Sequence, residues 1–274
     1  SDTAAAPLSQ VNNFSGGLMQ EGLKYLHSAQ RIYVAGSSNE PTGLLRDLAA
    51  SELPENLEFI QFPLPGLNQT DFTQFNDTAS VTTFFMSSAL AKGDAARVNY
   101  LPMQMRATYD YLATNVDVYL LQVAHDQEGR LRVGPNVDFH ESVLAQNPTV
   151  IAQLNPSMVA PAGSPLMNPA LIDVLIANDV SAPALAPANI DDAAQEIGRL
   201  VAGLIRDGDC LQTGIGAIPA AILNQLTDKN ELGMHGGLID DGGMRLIQQG
   251  NLTGAQKTID TGKHITGMAL GSDE

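Results

Sequence analysis

The sequence of 274 residues contains one cysteine, no tryptophan and no long run of apolar residues. A single cysteine, Cys210, excludes a disulfide within the chain and any metal cluster built on cysteines. A helix that spans a membrane needs about 20 consecutive apolar residues, so we predict no membrane partner. The start, SDTAAAPLSQ, has no basic region before an apolar one and does not match an intact signal peptide. Cytoplasmic residence is therefore the default expectation.

Basic residues are also scarce, because 14 Lys and Arg stand against 30 Asp and Glu, a net charge of −16. Nucleic acids and anionic membranes bind clustered Lys and Arg, so neither is an expected partner. A small anionic ligand remains compatible with this charge, since charges beyond about 8 Å are largely screened at physiological salt. The five histidines lack the paired spacing of a zinc site, and no metal is predicted.

The apolar residues alternate between strand-like and helical patterns, which is typical of an α/β protein. Strands are predicted at 31–36, 57–62, 81–86, 116–124, 149–155 and 263–271, a hairpin at 126–134 and a buried element at 171–178. Helices are predicted at 17–28, 40–51, 104–114, 190–208 and near 244–249. The proline- and alanine-rich residues 180–191 predict a linker. We therefore predict two tandem α/β domains, at residues 1–182 and 188–274.

Residues 209–223, DCLQTGIGAIPAAIL, form the most distinctive motif. A short predicted strand leads to Gly214 and Gly216, which allow φ > 0 and close approach to a ligand. Pro219 is expected to open the next helix, because its missing N–H costs nothing in the first turn. Free main-chain N–H groups at this helix start suit a phosphate or an oxyanion. The alternative is a plain structural connection, which is frequent in α/β proteins.

A dinucleotide-binding interpretation of this turn fails. The Rossmann pattern requires a third glycine where this sequence has Pro219. It also requires an acidic residue at the end of a second strand, and Glu231 instead precedes a glycine turn.

Six motifs in the order of the chain match one family. They are VAGSSNEPTGLL (34–45), VDVYLLQVAHDQEGRLRVG (116–134), VIAQLNPSM (150–158), LQTGIGAIPAAIL (211–223), LGMHGGLIDDG (232–242) and KTIDTGKHITGMALGS (257–272). Together they resemble the acetyl-CoA hydrolase/transferase family, which includes the class I CoA-transferases of the 4-hydroxybutyrate type. The joint match spans nearly the whole chain and is far more specific than any one motif.

The resemblance implies two CoA-transferase-like α/β units of the NagB/RpiA type, with the active site in the cleft between them. It implies a CoA thioester and a small carboxylate as substrates, with coenzyme A as substrate rather than tightly bound cofactor, and a homo-oligomer. Family members continue well past the segment that ends at Ser272, so we expect the second domain to be incomplete.

The resemblance also selects candidate catalytic residues, with one departure. Members with transferase activity carry a nucleophilic glutamate where this sequence has Gly237, and glycine cannot be a nucleophile. His235 is a candidate general base for water, or else a histidine packed at a strand end and hydrogen-bonded to the backbone. Asp240 is a candidate for orienting water in place of that glutamate. The favoured alternative is that Asp240 and Asp241 cap the following helix.

The other candidates bind or line the site. Main-chain groups at Gly214, Gly216, Ala217 and Ile218 would form the oxyanion hole and bind CoA, together with Gly271 in the last motif. Glu40 and Asn155 are expected to line the cleft. Their structural alternatives are a first-turn carboxylate on a helix dipole and a strand end before Pro156. Cys210, beside Leu211, is expected to be buried and inert.

Three functions follow from these observations. The leading one is a CoA-thioester hydrolase or transferase that works without an enzyme-bound glutamyl thioester. The second is a CoA-binding or scaffold protein that has lost the chemistry, as Gly237 and an incomplete second domain would favour. A sugar-phosphate isomerase on a related fold is the weakest, because no Lys or Arg lies near Gly216 in the sequence.

Overall fold

The computed structural model describes residues 15–272, and its contacts divide the chain into two compact units between Pro183 and Ala184. This division falls in the proline- and alanine-rich stretch 180–191, where residues 181–190 form neither helix nor strand. None of the helices within residues 15–272 is long and apolar enough to cross a membrane.

The amino-terminal unit contains one eight-stranded sheet. Its strands are β1 (Arg31–Val34), β2 (Glu58–Gln61), β3 (Ser80–Thr83), β4 (Val98–Tyr100), β5 (Val118–His125), β6 (Leu131–Arg132), β7 (Thr149–Val159) and β8 (Val174–Ala177). Its α-helices are α1 (Ser15–Leu23), α2 (Thr42–Ala49), α3 (Ser88–Lys92), α4 (Met105–Leu112) and α5 (His140–Val143).

The strand order β4-β3-β2-β1-β5-β7-β8 is parallel throughout, and only β6, paired with β5, runs antiparallel. Strands β2, β3 and β4 are added in turn on one side of β1. The chain then returns to the other side of β1, where it adds β5, β7 and β8. The adjacent strands β1 and β5 therefore mark the switch point, beside whose carboxyl ends open α/β sheets bind ligands. Side chains alternate between the two faces, so Ile32 and Val34 pack in one apolar cluster and Tyr33 in another.

The carboxy-terminal unit has a parallel three-stranded sheet in the order β11-β10-β9. Its elements are α6 (Asp192–Ala202), β9 (Cys210–Leu211), α7 (Ala217–Asn224), β10 (Gly233–Ile239), α8 (Asp241–Gln248) and β11 (Ile265–Ala269). Leu223, Met234 and Leu246, from α7, β10 and α8, meet in its apolar core.

Most predicted elements are present, but several boundaries were wrong. The strand predicted at 149–155 runs through Pro156 to Val159. Proline lacks an N–H, and the pairing between β5 and β7 is irregular there, resuming at His125 and Val159. The helix predicted at 190–208 ends at Ala202, after which Leu204 and Ile205 make tighter turns. Strand β4 was not predicted, because its three residues are partly or fully exposed and carry no apolar run.

Candidate functional site

The glycine turn of the carboxy-terminal unit joins β9 to α7. Gly216 precedes α7 with φ 129° and ψ −177°, a conformation open to glycine and strained for other residues. No side chain caps this helix start. Within residues 15–272, no acceptor bonds to the main-chain N–H of Ala217 or of Ile218. The turn therefore presents two N–H donors of the kind that stabilise an oxyanion.

Two details of the predicted turn were wrong. The helix begins at Ala217, so Pro219 is its third residue and does not open it. Proline is still tolerated there because N–H groups of the first turn have no partner within the helix. Gly214 does not adopt positive φ, and a Cβ on Gly214 would meet no atom within 4 Å. Only Gly216 needs to be glycine for its backbone conformation.

The end of β10 lies on the same edge of the sheet as this turn, because β9 and β10 are parallel. A Cβ on Gly236 would lie 2.8 Å from Cγ of Gln212, the residue that leads into the turn. The next residue, Gly237, is exposed, and a Cβ there would meet no atom within 4 Å. Position 237, where the resemblance implies a glutamate in transferase members, therefore has room for a side chain.

His235 lies two residues earlier on β10, opposite Ile265 of β11, and is half-buried. Among residues 15–272, no hydrogen bond to its ring is found. The structure thus does not show the alternative of an imidazole bonded to the backbone. The role of His235 as a base stays a prediction.

The neighbouring aspartates hold the start of α8 and the end of the last motif. Asp240 caps α8 by accepting a hydrogen bond from the Gly243 N–H at 3.0 Å, as the favoured alternative expected. Asp241 accepts from the Ser272 N–H, and a Cβ on Gly271 would lie 2.1 Å from its Oδ1. Gly271 is glycine because the Asp241 carboxylate occupies this space. The catalytic role of Asp240 and CoA binding at Gly271 stay predictions.

Glu40 lies in the loop after β1, not in the first turn of α2, and only 4% of its surface is exposed. Gln61 Nε2 donates to its Oε2 at 2.7 Å, and Asn68 also donates to the carboxylate. Burial raises the pKa of Glu40 to about 7, and the two hydrogen bonds only partly oppose that shift. Glu40 is therefore a buried carboxyl held by neutral amides, and the alternative of a carboxylate on a helix dipole was wrong.

Asn155 is inside β7 and 1% exposed. Its Nδ2 donates to Gln122 Oε1 and to the Val180 carbonyl, and its Oδ1 accepts from the Ser157 N–H. It does not end the strand, so that alternative was wrong, and its contact with a ligand stays a prediction.

The prediction of a buried Cys210 was wrong, because the thiol is exposed. Strand β9 is an edge strand of two residues, so one side of Cys210 has no neighbouring strand to cover it.

The hairpin predicted at 126–134 is confirmed, with β5 and β6 antiparallel. Asp126 turns the chain by accepting from the Glu128 and Arg130 N–H groups. Its Oδ2 also pairs with the buried Arg132 at 2.5 Å. Burial alone would raise the pKa of the Asp126 carboxyl, but hydrogen bonds from Arg132, the Arg130 N–H and the Arg130 side chain together lower it.

A further functional candidate, Asp138, lies beyond this hairpin and was not predicted from the sequence. Asp138 has φ 49° and accepts a hydrogen bond from the Tyr33 hydroxyl at 2.6 Å. Burial raises the pKa of Asp138 to about 6. The signal available was the PNVD segment, since Asn and Asp tolerate left-handed backbone and bond to nearby main chain.

Comparison with known proteins identifies relatives along nearly the whole chain. No protein-family model matches this chain. The chain is 31% identical over 92% of its length to a 4-hydroxybutyrate coenzyme A transferase of Clostridium kluyveri, covering 60% of that protein. It is 26% identical over 92% of its length to a succinyl-CoA:acetate/propanoyl-CoA:succinate CoA transferase of Fasciola hepatica, covering 54% of it. The chain thus spans less than two thirds of the length of these relatives.

Solved structures show the same fold. RipA from Yersinia pestis aligns with a TM-score of 0.82 at 23% identity, over 93% of this chain and 63% of that one. A 4-hydroxybutyrate CoA-transferase from Porphyromonas gingivalis aligns with a TM-score of 0.73 at 22% identity, over 93% and 62%. The predicted CoA-transferase-like α/β fold is confirmed. Over nearly all of its own length, this chain is a homologue of the CoA transferases, as its motifs implied.

Proposed function

We propose that this chain is part of a CoA-thioester enzyme, either a CoA transferase or an acyl-CoA hydrolase, that uses a small carboxylate or water as acceptor. The observation that carries the proposal is the similarity to two CoA transferases over 92% of the chain. Coenzyme A is then a substrate and not a resident cofactor. A homo-oligomer, implied by the resemblance, and cytoplasmic residence, the default for this composition, remain part of the proposal.

The two free N–H groups of Ala217 and Ile218 would bind the thioester carbonyl oxygen as it becomes an oxyanion. One such donor contributes about 2.7–4 kcal/mol in the transition state. Gly216 gives the turn the backbone conformation that leaves these N–H groups free. That conformation is strained for any residue with a Cβ.

Gly237 determines what attacks the thioester. In hydrolysis, water would lose a proton to His235 and attack the carbonyl carbon. The C–S bond would then break and the thiolate of CoA would leave and take up a proton. In transfer, an acceptor carboxylate oxygen would attack the carbonyl carbon, and the C–S bond would break to give a mixed anhydride and the CoA thiolate. The thiolate would then attack the acceptor carbonyl and release the donor acid. Open space beside Gly237 supports either route.

Incubation of the protein with acetyl-CoA, with and without a second carboxylate such as succinate, tests the proposal. We expect free thiol without the acid, or a new acyl-CoA with it. Failure to form either product would refute the enzymatic proposal.

Position 237 can be tested separately with borohydride, which traps a glutamyl thioester. We expect the natural protein to resist inactivation by acyl-CoA and borohydride, and the Gly237→Glu variant to become sensitive. Gly237→Ala is the control, since its Cβ also fits but brings no carboxylate. Inactivation of the natural protein would show that another carboxylate is the nucleophile.

The absence of a carboxylate at Gly237 favours one other function, a CoA-binding protein without catalysis. Stabilisation of the fold by CoA without turnover would support it. A ligand at 100 times its dissociation constant adds about 2.7 kcal/mol to the free energy of unfolding, which a thermal shift detects.

A further inference from the structure

The loop Gly36–Glu40 follows β1 at the switch point of the amino-terminal sheet, and other segments bond to it. Main-chain bonds close the turn within the loop, and side chains of distant segments also bond to its backbone. Asn68 Oδ1 accepts from the Ser37 N–H at 2.8 Å, and Asn68 Nδ2 donates to the Ser37 carbonyl. Gln122 Nε2 donates to the Ser38 carbonyl at 3.2 Å.

The PNVD segment holds the first residue of the loop from another side. The Asp138 carboxylate accepts from the Gly36 N–H, and Asn136 Nδ2 donates to the Gly36 carbonyl at 3.1 Å. The Asn136 carbonyl also accepts from Asn39 Nδ2. We refer to Asn68, Gln122, Asn136 and Asp138 as the loop-holding residues.

These contacts hold the loop in a strained conformation. Ser37 has φ 53° and Asp138 has φ 49°, and neither is glycine. A Cβ on Gly36 would lie 2.3 Å from the Phe62 carbonyl oxygen, so no other residue fits there. Such strain persists only where the surroundings over-determine the structure, and it is concentrated at functional sites.

One polar atom of the loop has no partner. Asn39 is 1% exposed, and its Oδ1 has no hydrogen-bond donor within the described part of the chain. It faces Gly134, where a Cβ would lie 3.0 Å away and where φ is +108°. An acceptor that is buried without a donor is unfavourable, so a ligand that donates a hydrogen bond to it would bind more tightly.

The chemistry around the loop indicates the class of ligand. The side chains of other segments that bond to its backbone include the amides of Asn68, Gln122 and Asn136 and the carboxylate of Asp138, none of which is positively charged. A phosphate is thus not favoured. An acyl-CoA also has a neutral arm between its phosphates and its thioester, and that arm carries amide N–H donors.

We propose that the loop-holding residues position the Gly36–Glu40 loop to bind the amide-bearing arm of an acyl-CoA, with Asn39 Oδ1 as the acceptor. This inference rests on the proposed function. Asp138 and Asn136 are positioning residues, because they act on the ligand through the loop.

Asp138→Gly is the test variant, because glycine keeps the left-handed backbone and removes only the carboxylate. Asp138→Asn is the rescue variant, since its side-chain oxygen can still accept from the Gly36 N–H. Asn147→Gly is the matched control. Asn147 also has a left-handed backbone (φ 50°), and it lies just before the amino end of β7.

Affinities for acetyl-CoA and for adenosine 3′,5′-bisphosphate, which lacks the amide arm, would be measured by calorimetry. Amide hydrogen exchange would be followed without ligand. We expect Asp138→Gly to bind acetyl-CoA at least tenfold more weakly, to bind the bisphosphate unchanged, and to exchange the Gly36–Glu40 amides faster. Asp138→Asn and Asn147→Gly should behave like the natural protein.

Unchanged acetyl-CoA affinity in Asp138→Gly, or equal weakening for both ligands, would overturn the inference while leaving the proposed function intact. A natural protein that binds neither ligand would instead refute the proposed function, and with it the assignment of the ligand.

Discussion

The buried carboxyl of Glu40 predicts a specific dependence of stability on pH. Its pKa is about 7 in the folded chain against an ordinary value of 4.5, because burial disfavours the charged form. The unfolded chain therefore releases this proton at lower pH than the folded chain. The free energy of unfolding should fall as pH rises from about 4.5 to about 7, and the loss should be complete above that.

The magnitude follows from the shift. Each pKa unit corresponds to about 1.36 kcal/mol, so the full loss is about 3.4 kcal/mol. Between pH 5 and pH 8 the same two pKa values predict a loss of about 2.5 kcal/mol. Glu40→Gln removes the titration but keeps an oxygen that can accept from Gln61.

Urea unfolding of the natural protein and of Glu40→Gln at pH 5 and pH 8 measures this effect. From pH 5 to pH 8, the free energy of unfolding of Glu40→Gln relative to that of the natural protein should rise by about 2.5 kcal/mol. Asp138 and His140 titrate in both proteins, so their contributions cancel. Glu52→Gln, at an exposed glutamate, is the control. Parallel pH profiles for Glu40→Gln and the natural protein would show that Glu40 is not held as a neutral acid.

Three further predictions concern the carboxy-terminal unit. Gly216→Ala should lower the free energy of unfolding by about 1–3 kcal/mol because position 216 has positive φ, whereas Gly214→Ala should leave it unchanged. Equal free energies of unfolding for the two variants would contradict this prediction. Cys210 should react with a thiol reagent in the folded protein without prior unfolding, and protection until unfolding would refute its exposure. Asp240→Ala should cost about 1 kcal/mol through loss of the α8 cap, and Asp240→Asn much less; chemical denaturation distinguishes the two.

Much of the fold could be predicted because its signals are local. The apolar and β-branched runs at 31–36 and 116–124 predicted β1 and β5, and the glycine turn at 126–134 predicted the hairpin. Short polar elements such as β4 were missed, since three partly or fully exposed residues are too few to show an alternating apolar pattern. The exposure of Cys210 was also missed, because β9 is an edge strand and no local pattern shows which strand lies at an edge.

The glycine turn was predicted only in part, because one of its features is local and the other is not. Glycine at position 216 indicated positive φ correctly, because that preference belongs to the residue itself. Gly214 carries the same residue type without the same backbone, and only its surroundings distinguish the two.

The sequence by itself determined the α/β class, the family resemblance and the lack of a nucleophile at Gly237, because each depends on the identity and order of neighbouring residues. Only the tertiary structure decided that Glu40 is a buried acid and that the Asn39 side-chain oxygen meets no donor among residues 15–272. Their surroundings come from Gln61, Asn68 and Asn136, residues 21 to 97 positions away along the chain. Folding brings those amides together at the carboxyl ends of β1 and β5, and no local pattern encodes that meeting.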